Sequence, residues 1–153
     1  MAMKELAITF RSAQLTAHAM HNFAKGCNFL ANHEYLGDLY GTYETAYDAV
    51  IERMIGLGDT PNISEITKAA TSKCCQYDFQ GMDCSDMFKA LLDIEMTIRQ
   101  ICASYNGQAS LGTQNLLAQF ADDSEARTYK LKRLVMDDEE AEDPVAKLMS
   151  FGR

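Results

Sequence analysis

Apolar residues recur every three or four positions over four long stretches of the chain, the spacing of helices with one buried side, and no segment alternates convincingly as a strand. Leu6, Phe10, Ala13, Ala17 and Met20 form the first stripe, with Thr9 and Ser12 on other faces, and predict a helix over about residues 4–24. Phe29, Leu36, Tyr40, Tyr43, Tyr47, Ile51 and Met54 predict a second, proline-free helix over about 29–57, ended by the Gly and Pro of the 58–61 segment. Ile63, Ile66, Ala69 and Ala70 then mark a short connecting helix within 62–77, with Asn62 or Ser64 near its start. A third long helix runs from a cap at Asp83 or Ser85 through Met87, Leu91, Ile94, Ile98 and Ile101 to Tyr105, where Asn106 and Gly107 stop it. The fourth covers about 108–136, with Leu111, Leu116, Leu117, Phe120, Tyr129 and Leu131 as its apolar side. Short turns within each half and one longer connection between the second and third long helices describe an all-α four-helix bundle.

The chain of 153 residues is long enough to bury a full core, and its predicted organisation is a bundle over 1–136 followed by an acidic tail over 137–153. In the tail, a run of Asp and Glu from Asp137 to Asp143 gives way to Pro144 and then to Val145, Leu148, Met149 and Phe151. This reads either as a solvated tail folded back on its own shell or as a spacer leading to a docking peptide for a partner. A net charge of −8, with only Lys4 against Glu5 in the first ten residues, argues against nucleic-acid binding, which depends on neutralising phosphates. With no run of eighteen apolar residues and no basic start followed by an apolar middle, neither a membrane span nor export is expected, and the protein is placed in the cytoplasm. The five cysteines (Cys27, Cys74, Cys75, Cys84, Cys102) contain no C-x-x-C pair and read as reduced thiols. The nine methionines read as core and interface filler. Glu95 and Arg99, four apart on the third long helix, read as an ordinary ion pair.

Candidate chemistry gathers in three places: His21, then His33 with Glu34 behind it, then Asp48 and Glu52. Asp48 and Glu52 are four apart and share a helix face. His33 and Asp48 lie on one helix fifteen residues apart, roughly 22 Å along its axis, so a single ion with ligand bonds of roughly 2 Å cannot touch both in one chain. Two copies of that helix crossing antiparallel near residues 40 and 41 would bring each His33 opposite the partner's Asp48 and Glu52. Gly37 and Gly41 would let the backbones approach. A turn over residues 25–28 would fold the first helix back so that His21 lies beside His33. The mixed imidazole and carboxylate set suits iron, manganese or zinc, and as an open site it suits redox chemistry.

The run from His18 to Tyr40 (HAMHNFAKGCNFLANHEYLGDLY), followed by Tyr47 to Gly58 (YDAVIERMIGLG), resembles the mini-ferritins of the Dps type, the DNA-binding proteins from starved cells. The shared pattern is a His on the first helix, a Gly-Asn-Phe type turn, His-Glu on the second, and Asp-x-x-x-Glu-Arg before a Gly-rich loop, here His21, His33, Asp48, Glu52 and Arg53. The resemblance implies a ferritin-like bundle whose extra short helix lies between the second and third long helices. It further implies a dodecamer of six dimers in which His21, His33 and the partner's Asp48 and Glu52 bind Fe(II), and in which hydrogen peroxide oxidises the iron for storage as mineral. At two positions the chain departs from the pattern. Asn22 stands where the family usually has Trp, and Gly37 stands where it usually has an acidic residue, with Asp38 about 100° further round the helix. Tyr40, Tyr43 and Tyr47 are candidate substitutes for the Trp as well as packing residues. Two rival readings remain beside the ferroxidase: a structural or adaptor assembly with a vestigial site, and a DNA-compacting Dps, which the charge disfavours.

Overall fold

The structure, a computed structural model, describes residues 2–26, 28–105 and 107–141. These form five helices and no strand: α1 (Ala2–Phe23), α2 (Phe29–Gly56), α3 (Ile63–Cys74), α4 (Cys84–Ser104) and α5 (Leu111–Ala141). The helix starts follow local chemistry. Asn62 caps α3 by accepting from the Glu65 backbone N–H at 3.1 Å, and Asp83 caps α4 by accepting from that of Asp86 at 2.7 Å. Ser85, the other candidate cap of α4, is instead buried within it. The turn between α1 and α2 is closed by Phe29 N–H donating to the Gly26 carbonyl at 3.1 Å, with Gly26 at φ +101°, a conformation that favours glycine. α5 continues five residues beyond Met136, through much of the acidic run. The Pro144 break and the apolar terminal peptide lie outside the described residues.

Residue pairings give the topology. Glu95 meets Arg127 and Arg99 meets Ser124, so α4 and α5 run antiparallel. Tyr35 lies near Phe88 and Tyr43 near Glu95, so α2 and α4 run parallel, and their connection must travel the length of the bundle. α3 occupies that connection, packs on α1 and buries Ile66 and Ala70. This is a ferritin-like four-helix bundle with a short helix between the second and third long ones. Its fully buried centre includes Leu6, Phe10, Met20, Leu36, Tyr43, Met87, Phe88, Leu91, Ile98 and Leu131.

Two stripes differ from their prediction. α1 packs against α2, α3 and α4, so Thr9 and Ser12, expected on other faces, are buried as well. Thr9 satisfies its hydroxyl by donating to the Glu5 carbonyl. On α5 the inward row is Thr113, Leu117, Phe120, Ser124, Thr128 and Leu131, whereas Leu111 and Tyr129 are 84% and 65% exposed. Leu117, Phe120 and Leu131 lie inward as predicted, and the other half of the row is polar, which hides that half from a hydrophobic pattern. Among the described residues no helix is long and apolar enough to cross a membrane. Cys74, Cys75, Cys84 and Cys102 are free thiols, and burial pushes that of Cys102 up to about 11.

Candidate metal centre

His21, in the last turn of α1, and His33, in the second turn of α2, are brought together by the Gly26 turn. Their rings stack with centroids 3.7 Å apart and planes 24° off parallel. Each ring is anchored on the other residue's backbone: His21 Nδ1–H donates to the His33 carbonyl at 2.7 Å, and His33 Nδ1–H donates to the His21 carbonyl at 2.9 Å. A carbonyl oxygen only accepts, so each Nδ1 carries a proton, and in the neutral imidazole it is Nε2 that keeps the lone pair. This is the arrangement that orients a histidine as a metal ligand, with the tautomer fixed by a hydrogen bond on the far nitrogen. The donor chemistry therefore fits a divalent d-block ion such as Fe(II).

Aromatic rings extend the cluster. Phe29 lies 5.1 Å from His33, Tyr40 presents an edge to His21 at 5.5 Å, and His18 stacks on Tyr40 at 4.4 Å. The chain has three histidines, and all three lie in this group. Sequence reasoning left His18 unassigned. The signal for it was its position one turn before His21 on the same helix.

Gly37 carries part of this geometry. A Cβ built on it would lie 3.3 Å from His21 Nδ1 and 3.4 Å from Cε1, so the His21 ring rests directly on this glycine. Gly41, one turn further on, has nothing within 4 Å of its own Cβ position.

Asp48 and Glu52 are exposed further along α2. At about 100° per residue, His33, Glu44, Asp48 and Glu52 fall within an arc of about 100°, on a different side from the buried row Leu36, Leu39, Tyr43, Tyr47, Val50 and Met54. Glu52 also borders an open depression of about 470 Å³ shared with Arg53, Leu57 and Leu116. Within one chain the two histidines come together, while the carboxylates remain several turns away on the same helix. Among the described residues, no group of three or more His, Cys, Asp or Glu side chains converges closely enough to hold a metal ion.

The bundle interior holds a different polar group. Glu95 is fully buried and accepts from Tyr43 Oη–H at 2.5 Å, from Arg127 Nε at 2.6 Å and from the same guanidinium's Nη2 at 3.1 Å. The expected Glu95–Arg99 pair is thus corrected. Arg99 turns instead to Thr128 Oγ1 at 2.5 Å and Ser124 Oγ at 3.2 Å on α5, because Glu95 points inward to Arg127. Burial, reinforced by the Glu95 carboxylate, pushes the Tyr43 hydroxyl well above the usual phenol range and that of neighbouring Tyr35 up to about 12. Burial opposes the charge on Arg127, but its bonds to Glu95 outweigh that and hold it firmly protonated. A guanidinium already neutralises the one buried carboxylate here, so this cluster offers no opening for a cation.

Comparison with known proteins agrees with the architecture. A family model described as a ferritin-like domain matches residues 4–141. An uncharacterised protein of Haemophilus influenzae is 26% identical over 135 residues, covering 80% of this chain and 79% of that protein. The chain belongs to the ferritin-like domain family.

Proposed function

We propose that the chain is a Dps-type mini-ferritin subunit that oxidises Fe(II) at sites shared between two copies and stores the ferric product in a hollow homo-oligomer, by resemblance a dodecamer. The observation that carries this reading is the reciprocal His21–His33 lock, which leaves two Nε2 lone pairs at the edge of α1 and α2. His21 and His33 would supply imidazole nitrogen and the partner's Asp48 and Glu52 carboxylate oxygen, with Glu52 the best candidate to bridge to a second, weaker iron position. Two Fe(II) ions give up one electron each, and hydrogen peroxide takes both with two protons to become two waters. The acidic surplus draws cations rather than nucleic acid, so plasmid DNA should migrate unretarded in a gel shift at moderate salt.

Stopped-flow absorbance of ferric product, after anaerobic Fe(II) loading and then peroxide, tests the proposal. Fast oxidation in the native protein and its loss in His33→Ala with Asp48→Ala support it. Oxidation no faster than buffer, in a protein still assembled, leaves the rival reading of a structural or adaptor assembly, which Gly37 at the usually acidic position favours.

A further inference from the structure

We propose that Glu44 is a further carboxylate of the shared site, delivered from the partner subunit to the place where Gly37 lacks one. The inference rests on the inter-subunit reading above. In an antiparallel pair of α2 helices, residues opposite one another have a constant sum of residue numbers. The register that sets His33 against the partner's Asp48 therefore also sets Gly37 against the partner's Glu44. The second pairing lies nearer the crossing point, about 5 Å along the axis from it against about 11 Å for the first. Two helices that meet at His33 and Asp48 must be at least as close at Gly37 and Glu44.

The side-chain environment agrees. Glu44 lies on the same face of α2 as His33, about 20° from it, and is exposed. Among the described residues it takes part in no ion pair or side-chain hydrogen bond, so its carboxylate is uncommitted. Opposite it, Gly37 is covered by the His21 ring, with Nδ1 3.3 Å from where a Cβ would stand. The Cβ of an acidic side chain at 37 would press on that ring and shift it by a few tenths of an ångström, whereas a carboxylate arriving across the interface leaves the ring where it is. On this view the partner's Glu44 supplies the carboxylate that Gly37 cannot. The site then has two imidazoles and three carboxylates, enough for a second ion that the four-ligand set holds poorly.

The test uses Co(II) as a redox-silent probe of the full-length assembled protein, read by calorimetric stoichiometry and by the visible ligand-field spectrum, with assembly checked by light scattering. Glu44→Gln keeps the size of an exposed side chain. It should leave the oligomer intact, weaken the second Co(II) by about ten- to a hundredfold and change its spectrum, while the first ion is retained. His33→Ala should abolish both ions. Glu44→Gln with stoichiometry, affinity and spectrum identical to native, in a protein that loses its metal on His33→Ala, overturns this inference and leaves the shared site standing. A native assembly that binds no Co(II) at the histidines overturns both.

Discussion

The side chain that decides the geometry of the histidine pair is one that position 37 lacks. Gly37 sits in the middle of α2, where glycine costs about 0.5–1 kcal/mol relative to alanine, so on helix stability alone Gly37→Ala should be an improvement. Its Cβ would, however, press on the His21 ring at 3.3 Å, and that ring is held by the 2.7 Å bond to the His33 carbonyl and by the stack on His33. The ring must shift by a few tenths of an ångström, and its lone pair shifts with it. Gly37→Ala is therefore expected to keep or slightly raise the unfolding temperature while lowering Co(II) or Fe(II) affinity, and thermal unfolding beside metal titration separates the two. A variant unchanged in affinity would show that the contact with Gly37 does not position His21 for binding.

At the scale of the element, α4 is joined to α2 and α5 through Glu95. Removing one partner of a buried pair leaves an uncompensated charge, and Arg127→Met should cost about 3–5 kcal/mol in urea unfolding. The pH dependence gives the sign. Without Arg127 the buried Glu95 carboxylate has no cation beside it and desolvation disfavours its charged form, so across the carboxylate range the native state holds a proton that the unfolded chain gives up. Stability should then fall as pH rises through it, and be recovered on acidification. A loss independent of pH would mean that Glu95 stays ionised and finds another partner. Changing both residues together, Glu95→Gln with Arg127→Met, should cost less than Arg127→Met alone at neutral pH. The native protein carries a matching signature at the alkaline end. Tyr35 is pushed to about 12 and Tyr43 above the usual phenol range, so the folded state keeps protons that the unfolded chain loses, and stability falls as pH rises above about 10.

These elements also show what was readable from residue order. Helix positions were legible, because Asn62, Asp83, Gly26 and Pro61 act within a turn of themselves. The partner of Glu95 was not. An i, i+4 spacing to Arg99 exists on any helix, and only the rotation of α4 against α5 turns Glu95 toward Arg127 and Arg99 toward Thr128. Of the inward row of α5, Leu117, Phe120 and Leu131 were legible, whereas Ser124 and Thr128 stayed hidden because they are buried as hydrogen-bond acceptors for Arg99. At the site, the approach of His21 to His33 follows from the length of one turn. The role of Gly37 does not, since a missing side chain leaves no trace in a pattern until the ring that fills its place is located.

At the scale of the whole molecule, one consequence of the proposal separates a shared site from any site inside one chain. In a two-fold dimer each subunit gives His21 and His33 to one site and Asp48 and Glu52 to the other. His33→Ala and Asp48→Ala, assembled separately, should each be inactive, since every site lacks a ligand. Unfolded together in equal amounts and reassembled, they form mixed dimers in which one site carries both defects and the other carries none. With random pairing half the dimers are mixed and half of their sites are whole, so about a quarter of native metal binding and peroxide-dependent oxidation should return. A site built within one chain returns nothing under the same mixing, because no subunit holds all its ligands. Recovery near a quarter would also agree with α2 helices crossing antiparallel near residues 40 and 41, the register that sets an intact His33 opposite an intact Asp48.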